Sequence, residues 1–452
     1  MRMRENFIQT KGEQFFLNEK PILLRGWALG SWMNFEHFMM GLPGTNSMIL
    51  DAFSEVYGEE RKEEWLDAML EHIVSEEDIV YMKNIGVNSV RIPFGYHYFM
   101  DDMQPGVFLE KGFERLNRAV ELCAKHEMYV ILDLHSTPGS QNTDWHSDNI
   151  TGQALFWKYR CFQDQVLWLW EELSARYANN PWIAGYDVIN EPGYGLSSEQ
   201  INGFYHRVIA AIRKHDKDHI LFLEGIDFGR DFIPLAEFDD PQIALTVHFY
   251  PFVLEENVLD PEMSDTHRME IFTKIFERQL KETGRFHRPI WCGESGYEIL
   301  DGQESFYAML LEHNIILCEE RGISWNLWTY KDAGRMGLVV PKKESDWMQL
   351  RRKLAEHWSH DWEQKVSMKV THMLGDTYYQ HLSDALAYDL DFRVRSIQHR
   401  IAVEQLLKPA LREIPWEKMK HYPGSFSFEQ CEKREIVAEK IKQFIKEKEE
   451  KQ

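Results

Sequence analysis

The sequence predicts an α/β fold, a (β/α)8 TIM barrel, and two observations carry this prediction. Eight short apolar runs alternate with amphipathic helical stretches between residues 22 and 360. The runs are almost continuously hydrophobic, which is typical of parallel strands covered on both faces. Because no G-x-G-x-x-G motif follows any run, a doubly wound open sheet is the less favoured alternative. The predicted strands are 22–29, 89–94, 129–135, 183–189, 219–225, 244–250, 289–295 and 323–330.

The helices between these strands are predicted from apolar stripes and capping residues. Ser75 and Asp78 resemble a capping box, and Gly86 is a typical helix end. Ser197 and Ser198 are N-cap candidates for a later helix. An apolar stripe typical of a helix that packs on the barrel is formed by Phe113, Leu116, Val120 and Cys123.

Three segments lie outside the repeating pattern. Residues 8–16 predict an N-terminal hairpin that closes the bottom of the barrel, and residues 34–74 predict an insertion that contributes to a pocket wall. From residue 361 the strand signals stop and helical patterns alternate with breaks at prolines. We therefore expect a catalytic barrel over 1–360 and a helical extension of unknown role over 361–452, which could form an oligomer contact.

Composition excludes several classes of function. The net charge of the 452 residues is −22, which argues against binding to nucleic acid phosphates or to an anionic membrane surface. The five cysteines are scattered, without a C-x-x-C pair, which is unlike a disulfide framework or a zinc site. No signal peptide and no apolar run long enough to span a bilayer are evident. We expect a cytoplasmic protein without a cofactor or metal.

Polar side chains lie at the ends of most predicted strands. The carboxyl ends of barrel strands meet at one face, where barrel enzymes have their active sites. We therefore expect these side chains to form one site, although each alone is more often structural. In chain order they are Arg91, His135, Asn190, Glu191, His248, Tyr250, Glu294 and Trp328.

Two carboxylates at the mouth of one barrel predict paired acid–base and nucleophile chemistry. A separation of about 5–5.5 Å between Glu191 and Glu294 would be that of a retaining glycosidase. Arg91 and Tyr250 are expected to hold Glu294 anionic. Asn190 is expected to bond the sugar 2-hydroxyl, and the two strand-end histidines, His135 and His248, to tune protonation and bind hydroxyls.

The motifs that carry these residues resemble those of glycoside hydrolase family 5, the retaining β-glycosidases of a large (β/α)8 clan. "INEP" (189–192) is similar to the acid/base motif and "WCGESG" (291–296) to the nucleophile motif. The resemblance covers residues 8–360 and implies that Glu191 is the general acid/base and Glu294 the nucleophile. The remaining strand-end residues match the other family positions, with Trp328 as a sugar-stacking platform.

Within that family, three stretches resemble exo-β-1,3-glucanases and β-glucosidases. They are "ALGSWMNFE" (28–36), "VRIPFGYHYF" (90–99) and "LHSTPGSQN" (134–142). The resemblance implies that Glu36 holds the terminal sugar. The loop "TDWHSDN" (143–149) departs from these enzymes, and its Trp145, His146 and Asp148 are candidate pocket residues.

The sequence therefore predicts a retaining glycoside hydrolase that cleaves β-glucosidic bonds, exo-acting on β-glucosides or short β-glucans. An endo-β-1,4-glucanase with an open cleft is the alternative, and a non-catalytic sugar-binding barrel is a remote one, since no catalytic position is vacant. A lyase or a metal-dependent hydrolase is disfavoured because no lysine ends a strand and no H-E-x-x-H motif occurs. The expected partner is a β-linked oligosaccharide or glycoside, with neither nucleic acid nor membrane.

Overall fold

The computed structural model describes residues 5–359, 363, 365–370, 372–373 and 384–450. Eight parallel strands form a closed barrel, which confirms the predicted fold. Every predicted strand is present, with ends that lie within three residues of the predicted ones. The barrel strands, numbered 1 to 8 along the chain, are Arg25–Ala28, Ser89–Gly95, Tyr129–Ser136, Ile183–Asp187, Ile220–Glu224, Ile243–His248, Ile290–Glu294 and Ser324–Leu327.

Helices surround the barrel, and local sequence defines their ends. Ser75 and Asp78 form the predicted reciprocal capping box, and Gly86 ends the same helix in the left-handed region at φ 107°. Ser197 caps its helix together with Gln200. Strand 5 is followed only by a short helical turn, Ile226–Gly229. The other outer helices are Glu76–Ile85, Glu110–Lys125, Arg160–Tyr177, Ser198–Ile212, Asp265–Leu280, Glu304–Glu319 and Asp346–Ala355.

The N-terminal segment closes one end of the barrel, as predicted. Strands Ile8–Lys11 and Gln14–Leu17 form the predicted antiparallel hairpin, and Lys20–Ile22 adds a third strand to it. Ile8 and Phe15 pack into a cluster with interior barrel residues that include Phe222 and Trp291. This cluster fills the interior with apolar side chains, so the hairpin covers apolar surface that water would otherwise contact.

The insertion after strand 1 is helical. Its helices are His37–Met40, Asn46–Tyr57 and Glu59–Ile73. The last two bury apolar faces in the core that surrounds the barrel, where Trp65 stacks on Phe53 with ring centroids 3.9 Å apart. Burial of these faces explains why the insertion is an ordered part of the fold rather than a long surface loop.

The segment after residue 361 packs on the barrel. Its described helices are Asp384–Ala402, Lys408–Arg412, Trp416–Met419 and Glu435–Glu449. Val437, Ile441 and Phe444 form the buried stripe of the last helix. Buried polar contacts tie the segment to the barrel: Lys331 Nζ donates to the Phe426 carbonyl at 3.0 Å, and Arg434 Nη1 donates to the Gly337 carbonyl at 2.7 Å. The domain boundary near residue 360 stays a prediction.

The expectation that strands stop at residue 361 is wrong at one place. Cys431–Lys433 pairs antiparallel with Val339–Pro341. A strand of three residues is too short to show the alternation by which strands are predicted. In the described part of the chain, no helix combines the length and the apolar character needed to cross a bilayer.

Candidate active site

The carboxyl ends of the barrel strands open into a cavity of about 650 Å³. Two of the eight predicted strand-end residues, Arg91 and Asn190, lie beneath the cavity, fully buried and joined by a 2.7 Å hydrogen bond from Arg91 Nη2 to Asn190 Oδ1. The other six line it together with three further candidates: His135, Glu191, His248, Tyr250, Glu294 and Trp328, with Glu36, Trp145 and His146. The structure therefore brings the predicted strand-end residues together at one face.

Glu191 is presented by a strained turn that begins where strand 4 ends. Its backbone lies in the left-handed region at φ 46°, which is uncommon for a residue with a side chain and is found most often at functional sites. Two hydrogen bonds hold this conformation. The Glu191 N–H donates to Glu224 Oε2 at 2.9 Å, and Asn142 Nδ2 donates to the Glu191 carbonyl at 2.9 Å. The turn directs the carboxylate into the cavity instead of into a sheet.

Glu191 and Glu294 face one another across the site, with His248 beside both. Carboxylate oxygens of the two residues lie within 4.8 Å of each other. His248 Nδ1 lies 2.6 Å from Glu191 Oε1 and 3.6 Å from Glu294 Oε2. Carboxyl groups of inverting glycosidases are about 6.5–9.5 Å apart to leave room for a water molecule, whereas those of retaining enzymes are about 5–5.5 Å apart. The observed approach fits the retaining arrangement.

Glu294 receives the two donors that the sequence predicted for it. Arg91 Nη1 donates to Glu294 Oε1, and the Tyr250 hydroxyl donates to Glu294 Oε2 at 2.8 Å. Burial together with the charge of Glu294 raises the pKa of Tyr250 well above its ordinary value, so the hydroxyl keeps its proton. Burial favours a neutral Arg91, but the surrounding carboxylates outweigh it and raise the pKa of the guanidinium, so it stays charged. The two hydrogen bonds hold the Glu294 carboxylate in place.

Glu191 is bonded to two histidines. His146 Nε2 lies 3.0 Å from Glu191 Oε2, opposite the contact with His248. Burial raises the pKa of the Glu191 carboxyl, but the hydrogen bonds and charges of His146 and His248 outweigh it and hold the pKa well below the ordinary value. Burial lowers the pKa of His248, but Glu224, Glu294 and Glu191 raise it well above the ordinary value. These charges therefore favour a proton on imidazole, one hydrogen bond away from Glu191.

One end of the cavity gathers three predicted sugar-binding residues. His135 Nε2 lies 3.5 Å from Glu36 Oε1, and the rings of His135 and Trp328 stack with centroids 5.2 Å apart. His135 Nδ1 bonds Asp133 Oδ2 at 2.8 Å. Burial lowers the pKa of His135, but the charge and hydrogen bond of Asp133 outweigh it and raise the pKa to about 10. A charged donor, an acceptor and an aromatic ring are the groups that bind a sugar ring and its hydroxyls.

Asn190 is oriented by its contact with Arg91. Its oxygen accepts from Arg91, so its amide nitrogen is the group left for another partner. Among the described residues that nitrogen has no hydrogen-bond acceptor. Asn190 lies beneath the side chains that line the cavity. Its predicted hydrogen bond to a sugar hydroxyl stays a prediction.

Some candidates lie elsewhere. Asp148 does not line the cavity but accepts from the Ser47 backbone N–H at 2.8 Å, which joins the 143–149 loop to the insertion. The insertion contributes less to the described pocket wall than predicted, because only Glu36 and Phe38 of residues 34–74 line the cavity. Their neighbours in the two long helices are drawn into the core by their apolar faces.

Three buried acidic residues around Arg91 were not predicted from the sequence. Asp133 and Asp187 lie 3.2 Å and 3.0 Å from Arg91 Nη2, and Glu224 lies 3.7 Å from it. A signal existed for two of them. Asp133 precedes His135 by two residues, so it points to the same face of its strand, and Glu224 ends strand 5.

The outer part of the cavity was not predicted, and two groups of apolar side chains line it beside polar ones such as Gln279, Glu298 and Arg335. One side, named the aliphatic wall here, comes from the loops after strands 6 and 7 and from a neighbouring helix. It consists of Val253, Leu254, Leu259, Ile275 and Leu300. The other side, named the aromatic wall, consists of Phe228, Tyr388 and Phe392, of which the last two belong to the C-terminal extension.

Comparison with known proteins gives consistent matches. Residues 50–334 match the model of the family described as Cellulase (glycosyl hydrolase family 5). The chain is 35% identical over 444 residues to a β-xylosidase from Phanerodontia chrysosporium, covering 91% of this chain and 92% of that protein. It is 27% identical over 257 residues to a probable glucan 1,3-β-glucosidase A from Emericella nidulans, covering 55% and 58%. Endoglucanase Cel5A from Thermotoga maritima has a similar fold, with a TM-score of 0.51 at 17% identity, covering 70% of this chain and 91% of that one.

Proposed function

Because the chain belongs to glycosyl hydrolase family 5, we propose that this glycoside hydrolase is a retaining enzyme that releases single sugars from β-glucosides or short β-glucans. The observation that carries the proposal is the approach of Glu191 and Glu294 to within 4.8 Å, with different partners on each. Arg91 and Tyr250 donate hydrogen bonds to Glu294, while His248 and His146 supply Glu191 with protons.

In the first step, Glu294 attacks the anomeric carbon and forms a glycosyl ester while the bond to the leaving oxygen breaks. Glu191 donates a proton to that oxygen, so the aglycone leaves as a neutral alcohol. The proton reaches Glu191 from His248 along their 2.6 Å hydrogen bond. In the second step, Glu191 takes a proton from water, the water oxygen bonds the anomeric carbon, and Glu294 leaves as a carboxylate.

Exo action is supported by the enclosure of the sugar-binding end. Glu36 lies behind His135, 3.5 Å away, and Trp145 and His146 from the 143–149 loop line the same cavity. We infer that a cavity bounded in this way admits one sugar on the Glu36 side of the catalytic pair.

The released sugar is proposed to be glucose, with xylose as the second candidate. Xylose is favoured by the relative of 35% identity, which is named a β-xylosidase. The two sugars differ only by the hydroxymethyl group on C5, so one cavity can accept both. The cytoplasmic location predicted from the sequence stays a prediction.

The test is hydrolysis of nitrophenyl β-glucoside, xyloside, mannoside, galactoside and cellobioside, with product analysis on laminari- and cello-oligosaccharides. We expect release from the glucoside or the xyloside, monosaccharide as the first oligosaccharide product, and a β-anomer first seen by proton NMR. Release from the cellobioside alone, with mixed oligosaccharide products, would instead indicate an endo-β-1,4-glucanase. A first-formed α-anomer would contradict the retaining mechanism.

A further inference from the structure

The aliphatic wall is an unusual surface for an enzyme that binds only carbohydrate. Val253, Leu254 and Leu300 are 60%, 54% and 44% exposed, and all three line the catalytic cavity. Leu259 and Ile275 extend the same surface. Contiguous exposed apolar side chains on a folded protein mark a binding surface more often than scattered ones do.

Aliphatic side chains are poor partners for a sugar. Each sugar hydroxyl needs a hydrogen-bond partner when water is removed from it, and an unmade bond costs binding energy. Valine, leucine and isoleucine offer neither donors nor acceptors. They also lack the flat aromatic face on which a sugar ring packs. An oligosaccharide packed on these five side chains would therefore lose the hydrogen bonds that its hydroxyls make to water.

The aliphatic wall lies where the leaving group must go. The sugar-binding end contains Glu36, His135 and Trp328. Glu191 protonates the leaving oxygen, which lies on the side of the scissile bond that faces away from the sugar-binding end. Strand 6 continues into the wall: Tyr250, which bonds Glu294, is followed at once by the short helix Pro251–Leu254, which carries Val253 and Leu254. The aglycone thus leaves the catalytic pair into apolar surroundings.

The aromatic wall is the second apolar surface of the same cavity. Phe228 has a left-handed backbone at φ 58°, and its N–H donates to the Pro192 carbonyl at 3.0 Å, beside Glu191. Such a conformation is costly for a bulky residue and persists only when its surroundings hold it. It places the phenyl ring in the cavity, with its centroid 6.0 Å from that of His146. Tyr388 and Phe392 continue this aromatic surface with centroids 4.7 Å apart.

We propose that the natural substrate is a β-glycoside of an apolar alcohol, whose lipid-like aglycone lies between the aliphatic and the aromatic walls. The inference rests on the proposed glycosidase function and names its substrate class. The cavity of about 650 Å³ lies within the range of about 300–1,000 Å³ that holds a drug-sized ligand. It therefore has room for an apolar group beyond one sugar.

The test measures binding apart from hydrolysis. Methyl, hexyl and octyl β-thioglucosides and β-thioxylosides, which resist cleavage, are titrated into the wild-type protein below their micelle concentrations and followed by calorimetry. Each buried methylene is expected to strengthen binding, which amounts to about tenfold between the hexyl and the octyl compound. The heat capacity change of binding is expected to become more negative with chain length.

A wall variant and a matched control locate the effect. Val253→Ser combined with Leu254→Asn is expected to weaken octyl binding by at least about fivefold and to leave methyl binding unchanged. Ile436→Ser changes an aliphatic residue that is also exposed, at 53%, but lies on the C-terminal helix outside the cavity lining. That control is expected to bind both compounds like the wild type, so a loss confined to the wall variant supports the proposal.

The outcomes separate this inference from the proposed function. If nitrophenyl glycosides are hydrolysed but affinity does not rise with chain length, the apolar aglycone is wrong and the glycosidase stands. If affinity rises with chain length but no glycoside is hydrolysed, the proposed function fails and the apolar site stands. Relative hydrolysis rates of dodecyl and steryl β-glucosides in matched detergent micelles then distinguish a linear from a polycyclic alcohol.

Discussion

The floor and the walls of the cavity come from different parts of the chain, and their side chains differ in chemical character. The floor consists of strand-end residues such as Arg91, Asp187 and Glu224, which carry ionisable groups and are completely buried. The walls come from loops and from the C-terminal extension, and Val253 and Leu254 are apolar and exposed by more than half. Rigid strands can hold charges within hydrogen-bonding distance, as catalysis requires. Loops tolerate change, so they are where substrate choice is expected to reside.

The largest expected effect separates two carboxylates of the same cavity. Glu294 belongs to the floor and accepts hydrogen bonds from Arg91 and Tyr250, whereas Glu298 lines the outer cavity beside the walls and pairs with Arg335 at 2.6 Å. Glu294→Gln keeps the shape but removes the nucleophile, so we expect turnover of a nitrophenyl glycoside to fall by about 10⁴-fold or more.

Glu298→Gln is the matched control. Its pair with Arg335 is partly exposed, and such pairs contribute little, so we expect turnover to change by less than about fivefold. Circular dichroism and thermal unfolding of both variants check that they fold. Similar losses in the two variants would contradict the division between floor and wall.

A smaller effect is expected at Glu191, and its size depends on the leaving group. Glu191→Ala removes the acid, so alkyl β-glycosides, whose leaving oxygen needs a proton, should lose about 10²–10⁴-fold in kcat/KM. A dinitrophenyl glycoside, which leaves without protonation, should lose far less in the same parameter. The measurement is kcat/KM of both substrates with the wild type and the variant. Equal losses on both substrates would show that Glu191 is not the acid.

The contrast between floor and walls also explains what the sequence could predict. The eight strands were predictable because continuous apolar runs, such as 183–189, need no distant information. The floor was predictable because the strands of a barrel bring their carboxyl ends together. This places Glu191 and Glu294 side by side although they lie 103 positions apart in the sequence. Asp133 was within reach of the same reasoning, because alternation places it on the face of His135.

The walls lacked such a pattern. Val253 and Leu254 lie in a helical turn of four residues, which shows no helical period. Tyr388 reaches the cavity from a helix that begins about 200 residues after the acid/base motif, and only the packing of that helix on the barrel determines the contact. The bond of His146 to Glu191 likewise depends on the path of the 143–149 loop. Side chains positioned by tertiary packing alone leave no local signal.

The smallest expected effect concerns stability, and it compares a histidine of the floor, His135, with an aliphatic residue of the wall, Val253. In the folded protein the pKa of His135 is raised to about 10, mainly by Asp133 against the opposing effect of burial, whereas in the unfolded chain it is about 6.5. A group whose pKa is raised by folding stabilises the folded protein fully at pH values below the pKa of the unfolded chain. This contribution is lost as pH rises from about 6.5 toward 10. His135→Asn should therefore show a shallower decrease in the free energy of unfolding over this range than the wild type. Urea unfolding at pH 6.5, 8 and 9.5 measures it, with Val253→Ser as the wall control that keeps the wild-type slope. If His135→Asn keeps that slope as well, the charge of His135 does not stabilise the floor.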